Sequence, residues 1–135
     1  MPQNGTKIIL FHGTFLITLL RDDTPQIVFP NHWDLPGGGT ETGETQQECI
    51  LRETFEEIGL RLDISTFVWS QSYPSAGGAV SSFFAAPITA AQIDSIQFGT
   101  EGQCWRLMPV AEFCAHPMAV PHFKSRVQDF WTTQI

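Results

Sequence analysis

Residues 36–60 read PGGGTETGETQQECILRETFEEIGL, a glycine-rich segment followed by a stretch with helical periodicity. Pro36 to Gly43 is predicted to be a loop, because Pro and Gly interrupt regular structure. The next residues predict a helix over Thr45–Ile58. Its expected caps are Thr45 with Glu48 at the start and Gly59, in a left-handed conformation, at the end.

The predicted helix has two different faces, because successive residues are rotated by ~100°. The packing face is expected to contain Leu51, Thr54, Phe55 and Ile58. The opposite face carries three carboxylates: Glu53, Glu56 and Glu57. Cys49 and Ile50 lie toward the acidic side, so another element is expected to cover the first turns of the helix.

The negative charge of the chain is concentrated in this region. Residues 41–57 contain six acidic residues and one basic residue, a net charge of −5 within a total of −7. Like charges three and four residues apart on a helix repel one another, and a divalent cation would remove that repulsion. Oxygen ligands favour Mg²⁺ or Mn²⁺, and Mg²⁺ commonly leaves positions for water and phosphate. The pattern therefore indicates phosphate chemistry.

The remaining residues predict further strands and helices. Apolar, β-branched segments predict strands at Lys7–Phe11, Phe15–Leu20, near Ile27–Phe29, near Trp33–Leu35, Leu62–Tyr73, Val80–Ala86 and Gln103–Met108. The first two strands form one expected hairpin, and the strands on either side of Pro74–Gly78 form another. A short helix is expected at Thr89–Ile96 and a terminal helix, with Pro in its first turn, at Pro121–Trp131. This order predicts an α/β protein with a mixed sheet covered on both faces.

Length and composition exclude several classes of protein. The 135 residues, 42% of them hydrophobic, are expected to form a single domain, 1–135, with a sizeable core. The net charge of −7 argues against binding a nucleic-acid duplex, and no segment has the composition of a membrane span. Three cysteines without ligand spacing favour a reducing compartment, so a cytoplasmic location is expected.

One set of spacings resembles a known family. Gly38 is followed after five residues by Glu44, and then after seven residues by Arg52-Glu53-Thr54-Phe55-Glu56-Glu57-Ile58-Gly59-Leu60. This pattern resembles the Nudix box, and its closest likeness is to compact MutT-like members. Thr54 departs from the box, which has an aliphatic residue there, although Thr is β-branched and close to Val in size. The box covers 23 residues, and Trp33–Gly38 resembles the strand and loop that precede it.

The resemblance implies an α/β/α sandwich that hydrolyses a nucleoside diphosphate linked to a further group X. Glu53, Glu56 and Glu57 would coordinate Mg²⁺, with Mn²⁺ as a possible substitute, and the carbonyl of Gly37 or Gly38 would add a ligand. Arg52 would orient the helix carboxylates, Glu44 would tie the loop to the helix, and Gly38 would lie against substrate. A general base is also required, for which Glu53 and Glu101 are both candidates.

The resemblance implies two further site residues, which lie outside the box. Thr100–Trp105 resembles the region where the family places a later acidic residue, so Glu101 is a candidate metal ligand or base, with Glu112 as its competitor. Arg21 ends a predicted strand, where the family often places an arginine that contacts phosphate. A surface cation beside two aspartates is the alternative interpretation of Arg21.

The substrate implied first is a nucleoside triphosphate, possibly an oxidised one, giving a monophosphate and pyrophosphate. Pro74 lies near the position at which some relatives directed at ADP-ribose carry a proline, so ADP-ribose or a dinucleotide is the second enzymatic hypothesis. A non-catalytic ligand-binding module is the third. The expected partner in all three is a nucleotide or a related diphosphate, and the oligomeric state is left open.

Overall fold

A computed structural model describes residues 3–134 of the protein, and within that range six strands form one mixed sheet. The strands are β1 (Gly5–His12), β2 (Phe15–Leu20), β3 (Trp33–Asp34), β4 (Trp69–Pro74), β5 (Val80–Pro87) and β6 (Cys104–Pro109). The α-helices are α1 (Gln46–Ile58), α2 (Ala90–Asp94), α3 (Val110–Ala115) and α4 (Pro121–Trp131). None of the described helices has the length and apolar character that crossing a membrane requires.

The sheet order places β1 at the centre. The order is β3-β2-β1-β5-β4, and β6 pairs with β2. Strands β1 and β5 are parallel over their whole shared length, from Gly5 opposite Ser81 to Phe11 opposite Pro87. Strands β1 and β2 pair antiparallel only beside their connecting turn. The two strands then diverge, which leaves one edge of β1 open for another partner.

The glycine-rich loop occupies that open edge. The amide of Ile8 donates to the carbonyl of Pro36 at 2.9 Å, and the amide of Thr6 donates to the carbonyl of Gly38 at 2.8 Å. Backbone donors buried in a sheet must find acceptors, and the loop supplies them here. The sheet thereby holds the loop beside the first turns of α1.

Alternating side chains of the central strands form two cores. Ile9 on β1 packs with Phe83 and Ala85 of β5 in a cluster beneath α3 and α4. The neighbouring residues Ile8 and Leu10 pack instead with a second cluster that includes Ile50 and Ile58 of α1. This period-two alternation is what a sheet buried on both faces requires. The predicted α/β/α sandwich is therefore confirmed.

Two predicted strands are wrong in whole or in part. Ile27–Phe29 lies in an irregular loop, in which Phe29 has φ 52° and so cannot continue an extended strand. Within the predicted strand 62–73, only the segment from Trp69 onward forms a β-strand. Asp63 accepts a hydrogen bond from the amide of Ser65 and starts a short 3₁₀ turn instead. These deviations come from local side-chain hydrogen bonds and turn residues.

The other predicted elements are found with small changes in their bounds. Both hairpins are present, and β4 and β5 pair from Trp69 opposite Ala85 to Pro74 opposite Val80. The short helix after Thr89 is α2, and the helix beginning at Pro121 is α4. Helix α3 was not predicted, because its six residues are too few to show a helical period.

Candidate active site

Helix α1 begins and ends at the predicted caps. The hydroxyl of Thr45 accepts from the amide of Glu48 at 3.1 Å, and the Glu48 carboxylate accepts from the amide of Thr45 at 2.9 Å. Gly59 has φ 72° and donates to the carbonyl of Phe55 at 2.9 Å. Both ends of the helix are therefore defined by local hydrogen bonds, and its orientation is set by what it packs against.

The first turns of α1 are covered, as expected from the sequence. Cys49 and Ile50 are fully buried. The thiol of Cys49 lies 3.3 Å from the hydroxyl of Thr6 and 3.5 Å from the carbonyl of Gly38. Strand β1 and the glycine-rich loop thus form the cover.

The packing face of α1 differs in part from the prediction: Leu51 is only partly buried, and Phe55 departs most clearly. Phe55 is 42% exposed, whereas Thr54 and Ile58 are buried as predicted. The ring of Phe55 lies under the guanidinium of Arg61, with 4.1 Å between the guanidinium carbon and the ring centroid. Cys49 and Ile50 fill the core in its place, so the buried face of the helix is rotated toward its acidic side.

The glycine-rich loop approaches both β1 and α1 closely. Gly37 has φ 137°, and a β-carbon on it would lie 2.1 Å from the carbonyl oxygen of Thr6. A β-carbon on Gly38 would lie 2.6 Å from the carboxylate carbon of Glu53. The amide of Gly37 donates to Glu57 at 2.7 Å. The missing side chains therefore allow the loop backbone to lie directly against two of the helix glutamates.

Arg52 connects the loop to the acidic face of the helix. Its guanidinium lies 2.8 Å from Glu44, 3.0 Å from Glu53 and 2.7 Å from Glu56. It also lies 2.9 Å from Glu41, a residue that the sequence analysis did not single out. A planar guanidinium can serve several carboxylates at once. Of the three glutamates on the acidic face, Glu57 is the one that forms no ion pair with Arg52 within residues 3–134.

The environment of each carboxylate changes its pKa. Hydrogen bonds from Arg52 lower the pKa of Glu44 to about 2. Burial raises the pKa of Glu53, although Arg52 opposes the change. Burial also raises the pKa of Glu57, to about 8, against the opposing effects of Lys7 and of the Gly37 amide. Two carboxylates of the cleft are therefore costly to ionise unless a further positive charge is supplied.

The donor set fits a hard divalent cation. The side chains of Glu53, Glu56 and Glu57 offer oxygen donors, which Mg²⁺ prefers. Across residues 3–134, no group of three or more His, Cys, Asp or Glu side chains is positioned to hold an ion as it stands. Two of the glutamates are instead engaged by Arg52, and Glu57 by the Gly37 amide. An added cation would relieve the cost of burying the charges on Glu53 and Glu57.

The hydrogen bonds of the loop distinguish between its two candidate carbonyls. The carbonyl of Gly38 accepts from the amide and the hydroxyl of Thr6, at 2.8 and 2.9 Å. The carbonyl of Gly37 accepts from the ammonium of Lys7 at 3.2 Å. Gly38 is thus committed to β1, and Gly37 is the better candidate to face a cation.

A cleft of about 470 Å³ contains most of the predicted site residues. Its walls include Arg21, Gly37, Gly38, Glu53, Glu57 and Glu101. Glu56 borders the adjoining hollow, together with Arg52, Glu53, Glu57 and Glu101. The competing candidate, Glu112, is not among these wall residues and pairs with Arg106, whose Nη2 lies 2.9 Å from Glu112 Oε1.

Lys7 and Asp34 are among the wall residues that were not predicted from the sequence. Lys7 and Asp34 line the same cleft and lie 3.0 Å apart. The sequence offered one signal for Lys7, because a lysine is unusual beside the apolar residues of the segment that forms β1. Asp34 lies two residues before the loop, in the segment that resembles the strand before the box, but that resemblance gave it no role.

The fold and the cleft define a class of protein. A mixed sheet covered by helices, with a glycine-rich loop leading into an acidic helix, is the arrangement that the Nudix box resemblance implied. A family model described as the NUDIX domain matches residues 1–130. The chain therefore belongs to the Nudix family, and its fold is that of the MutT-like members.

Several known proteins are similar to the chain. It is 45% identical over 58 residues to the nucleoside triphosphatase NudI of Enterobacter sp. (strain 638), a match to 43% of this chain and 40% of that protein. It is 33% identical over 88 residues to the RNA pyrophosphohydrolase of Tolumonas auensis, a match to 53% of this chain and 50% of that protein. The chain thus spans about half the length of these curated relatives or less.

The fold is also shared with a solved structure. The crystal structure of the MutT protein from Methanosarcina mazei Go1 superposes with a TM-score of 0.78 and 15% sequence identity, covering 98% of this chain and 94% of the other. At this identity the likeness concerns the fold alone.

Proposed function

We propose that the protein is a Mg²⁺-dependent Nudix hydrolase that cleaves a nucleoside triphosphate to the monophosphate and pyrophosphate. The observation that carries the proposal is that Glu53, Glu57, Glu101 and Arg21 line one cleft together with Gly37. The similarity to a protein named nucleoside triphosphatase supports the choice of substrate class. We further propose that residues 1–135 act as one domain.

The predicted residues in and beside the cleft have separate proposed roles. Glu53, Glu56 and Glu57 hold the cation, with the carbonyl of Gly37 and the carboxylate of Glu101 as further donors. When bound, Mg²⁺ neutralises charge on the phosphate oxygens and lowers the pKa of the attacking water. Mn²⁺ is expected to substitute, because it accepts the same oxygen ligands.

The residues around the carboxylates position them and the substrate. Arg52 holds Glu53 and Glu56 in place, and Glu44 ties Arg52 to the loop. Arg21 supplies positive charge for a phosphate group, and Gly38 lets the substrate approach the backbone. These contacts orient the reacting groups, which is a large part of catalysis of phosphate reactions.

The reaction also requires a group that accepts a proton from water. Glu53 and Glu101 both line the cleft, and either carboxylate can accept that proton. Burial raises the pKa of Glu53, which favours it as the base. Water attacks phosphorus and passes its proton to the carboxylate, the anhydride bond between the α- and β-phosphates breaks, and the monophosphate and pyrophosphate leave.

The test is a panel of substrates incubated with the purified protein in Mg²⁺ or in chelator. The panel contains the common and oxidised nucleoside triphosphates, ADP-ribose, a dinucleoside polyphosphate and a 5′-triphosphorylated RNA oligonucleotide, with products separated by chromatography. Monophosphate and pyrophosphate from a triphosphate, formed only with Mg²⁺, are the expected result. If the protein cleaves another compound of the panel faster, that compound replaces the nucleoside triphosphate as the proposed substrate. Tight binding of nucleotides without turnover in Mg²⁺ or Mn²⁺ contradicts the enzyme and supports a binding module.

A pair of carboxylate variants checks that the cleft is responsible. Glu57→Gln is expected to abolish turnover, because it removes a charged donor from the cleft. Glu112→Gln removes a carboxylate that pairs with Arg106 outside the cleft and is the matched control. Undiminished turnover by Glu57→Gln would contradict the proposed metal site.

A further inference from the structure

Three charged side chains from three neighbouring strands form a chain of contacts behind the glycine-rich loop. Lys7 lies on β1, Asp34 on β3, and Arg21 directly follows β2. The ammonium of Lys7 is 3.0 Å from Asp34 Oδ1, and the guanidinium of Arg21 is 2.9 Å from Asp34 Oδ2. The Asp34 side chain is only 9% exposed. A single buried carboxylate is thus shared by two cations.

The backbone holds Asp34 in a defined position. Strand β3 pairs with β2, which places Asp34 opposite Leu19. The amide of Leu35 donates to Asp34 Oδ1 at 2.6 Å. A carboxylate held in this way can in turn hold the two cations that contact it.

The hydrogen bonds of Lys7 are already used within the protein. Its ammonium group has three N–H donors. It contacts Asp34, the carbonyl of Leu35 at 3.1 Å and the carbonyl of Gly37 at 3.2 Å. Lys7 therefore ties the glycine-rich loop to β1 and has no donor left over for a substrate.

Arg21 is in the opposite situation. Its Nε donates to the carbonyl of Val28 at 2.9 Å, and one Nη1 donor is directed to Asp34. A guanidinium carries five N–H donors. Within residues 3–134, its three remaining donors form no hydrogen bond, and the side chain is 30% exposed in the wall of the cleft. These free donors match the geometry of phosphate oxygens.

We propose that Asp34 is a positioning residue that fixes Arg21 as the polyphosphate-binding cation, while Lys7 secures the loop. Two cations around one carboxylate leave this cluster with a net charge of +1, in a wall that is otherwise acidic because it also contains Asp22, Glu53, Glu57 and Glu101. This charge attracts the phosphate chain to one side of the cleft. The inference rests on the proposed function, because it assigns how the same site recognises its anionic substrate.

The test measures binding of inorganic pyrophosphate in Mg²⁺ by isothermal titration calorimetry, which does not require turnover. Arg21→Met and Asp34→Asn are each expected to weaken binding roughly tenfold, as loss of one charge-assisted contact would. The double variant is expected to bind no more weakly than Arg21→Met alone, because Asp34 acts through Arg21. Asp129→Asn is the matched control, since Asp129 accepts from the hydroxyl of Tyr73 and does not line the cleft.

Further measurements separate positioning from a general loss of structure. In turnover assays, Asp34→Asn is expected to raise KM with kcat nearly unchanged, whereas partial unfolding would lower kcat alone. If Asp34→Asn fails to fold, Asp34→Glu keeps the charge but displaces it by one methylene, and is likewise expected to weaken pyrophosphate binding only when Arg21 is present.

The possible outcomes distinguish this inference from the proposed function. The inference is overturned if Asp34→Asn leaves the dissociation constant of pyrophosphate unchanged. It is also overturned if Asp34→Asn weakens pyrophosphate binding as much in the Arg21→Met variant as in the unmodified protein. Absence of pyrophosphate binding by the unmodified protein also overturns it. If the binding results hold but none of the nucleotides is cleaved, the inference stands and the proposed hydrolase activity falls.

Discussion

Replacing Gly38 by Ala probes how closely the loop backbone must approach the helix carboxylates. Gly38 has no left-handed φ, so its backbone conformation is open to alanine. The new β-carbon would lie 2.6 Å from the Glu53 carboxylate carbon and 2.7 Å from each of its oxygens. Ordinary van der Waals contact begins near 3.4 Å, so the carboxylate must retreat by about 0.7 Å.

This displacement has a predictable effect on turnover. Misplacing a reacting group by ~1 Å can cost on the order of a hundredfold in rate, so a fall in kcat of roughly 10- to 100-fold is expected for Gly38→Ala. Its thermal stability is expected to change little, because the displaced group is the end of a flexible side chain. Steady-state kinetics with the substrate found in the panel, together with thermal unfolding, measures both quantities.

The neighbouring glycines provide matched controls. The three atoms nearest to a β-carbon on Gly39 would belong to the amide end of Gln3, a flexible side chain, at 2.2 to 2.5 Å, so Gly39→Ala is expected to keep its activity. Gly37→Ala is expected to lose stability, because the rigid backbone of Thr6 blocks its β-carbon and φ is 137°. If Gly38→Ala is as active as Gly39→Ala, or loses activity only as its melting temperature falls, the reasoning about Glu53 is refuted.

Three more predictions concern the helix and the cleft. Thr45→Ala removes half of the capping box and is expected to cost about 1 kcal/mol, lowering the melting temperature by roughly 4 °C, whereas Thr45→Ser should retain the hydrogen bond. Burial raises the pKa of Glu57 from 4.5 to about 8. The metal-free folded protein then retains a proton that the unfolded chain releases, so its melting temperature in chelator should fall as pH rises from 4.5 to 8. Glu57→Gln should remove most of this dependence of the melting temperature on pH, and an unchanged dependence contradicts the raised pKa of Glu57. Glu101→Gln is expected to lower the rate at saturating Mg²⁺ at least tenfold, about 1.4 kcal/mol of barrier, and a smaller loss removes Glu101 from the mechanism.

The loop and helix at the centre of the site were predictable because their determinants are local. The Thr45 capping box and the Gly59 cap involve residues close together in the chain. Helical spacing alone placed Glu53, Glu56 and Glu57 on one face, since it depends only on the rotation per residue. The same local rules failed for Phe55, whose exposure depends on what surrounds the helix.

Contacts between distant residues were decided by the tertiary structure. The sequence alone specified the order of charges along α1 and the caps that start and stop it, because these follow from interactions within a few residues. Lys7 and Asp34 are brought together by the divergence of β1 from β2, and Glu101 reaches the cleft from a loop before β6. Burial, which raises the pKa of Glu57, likewise exists only after strands and loops have packed around the helix.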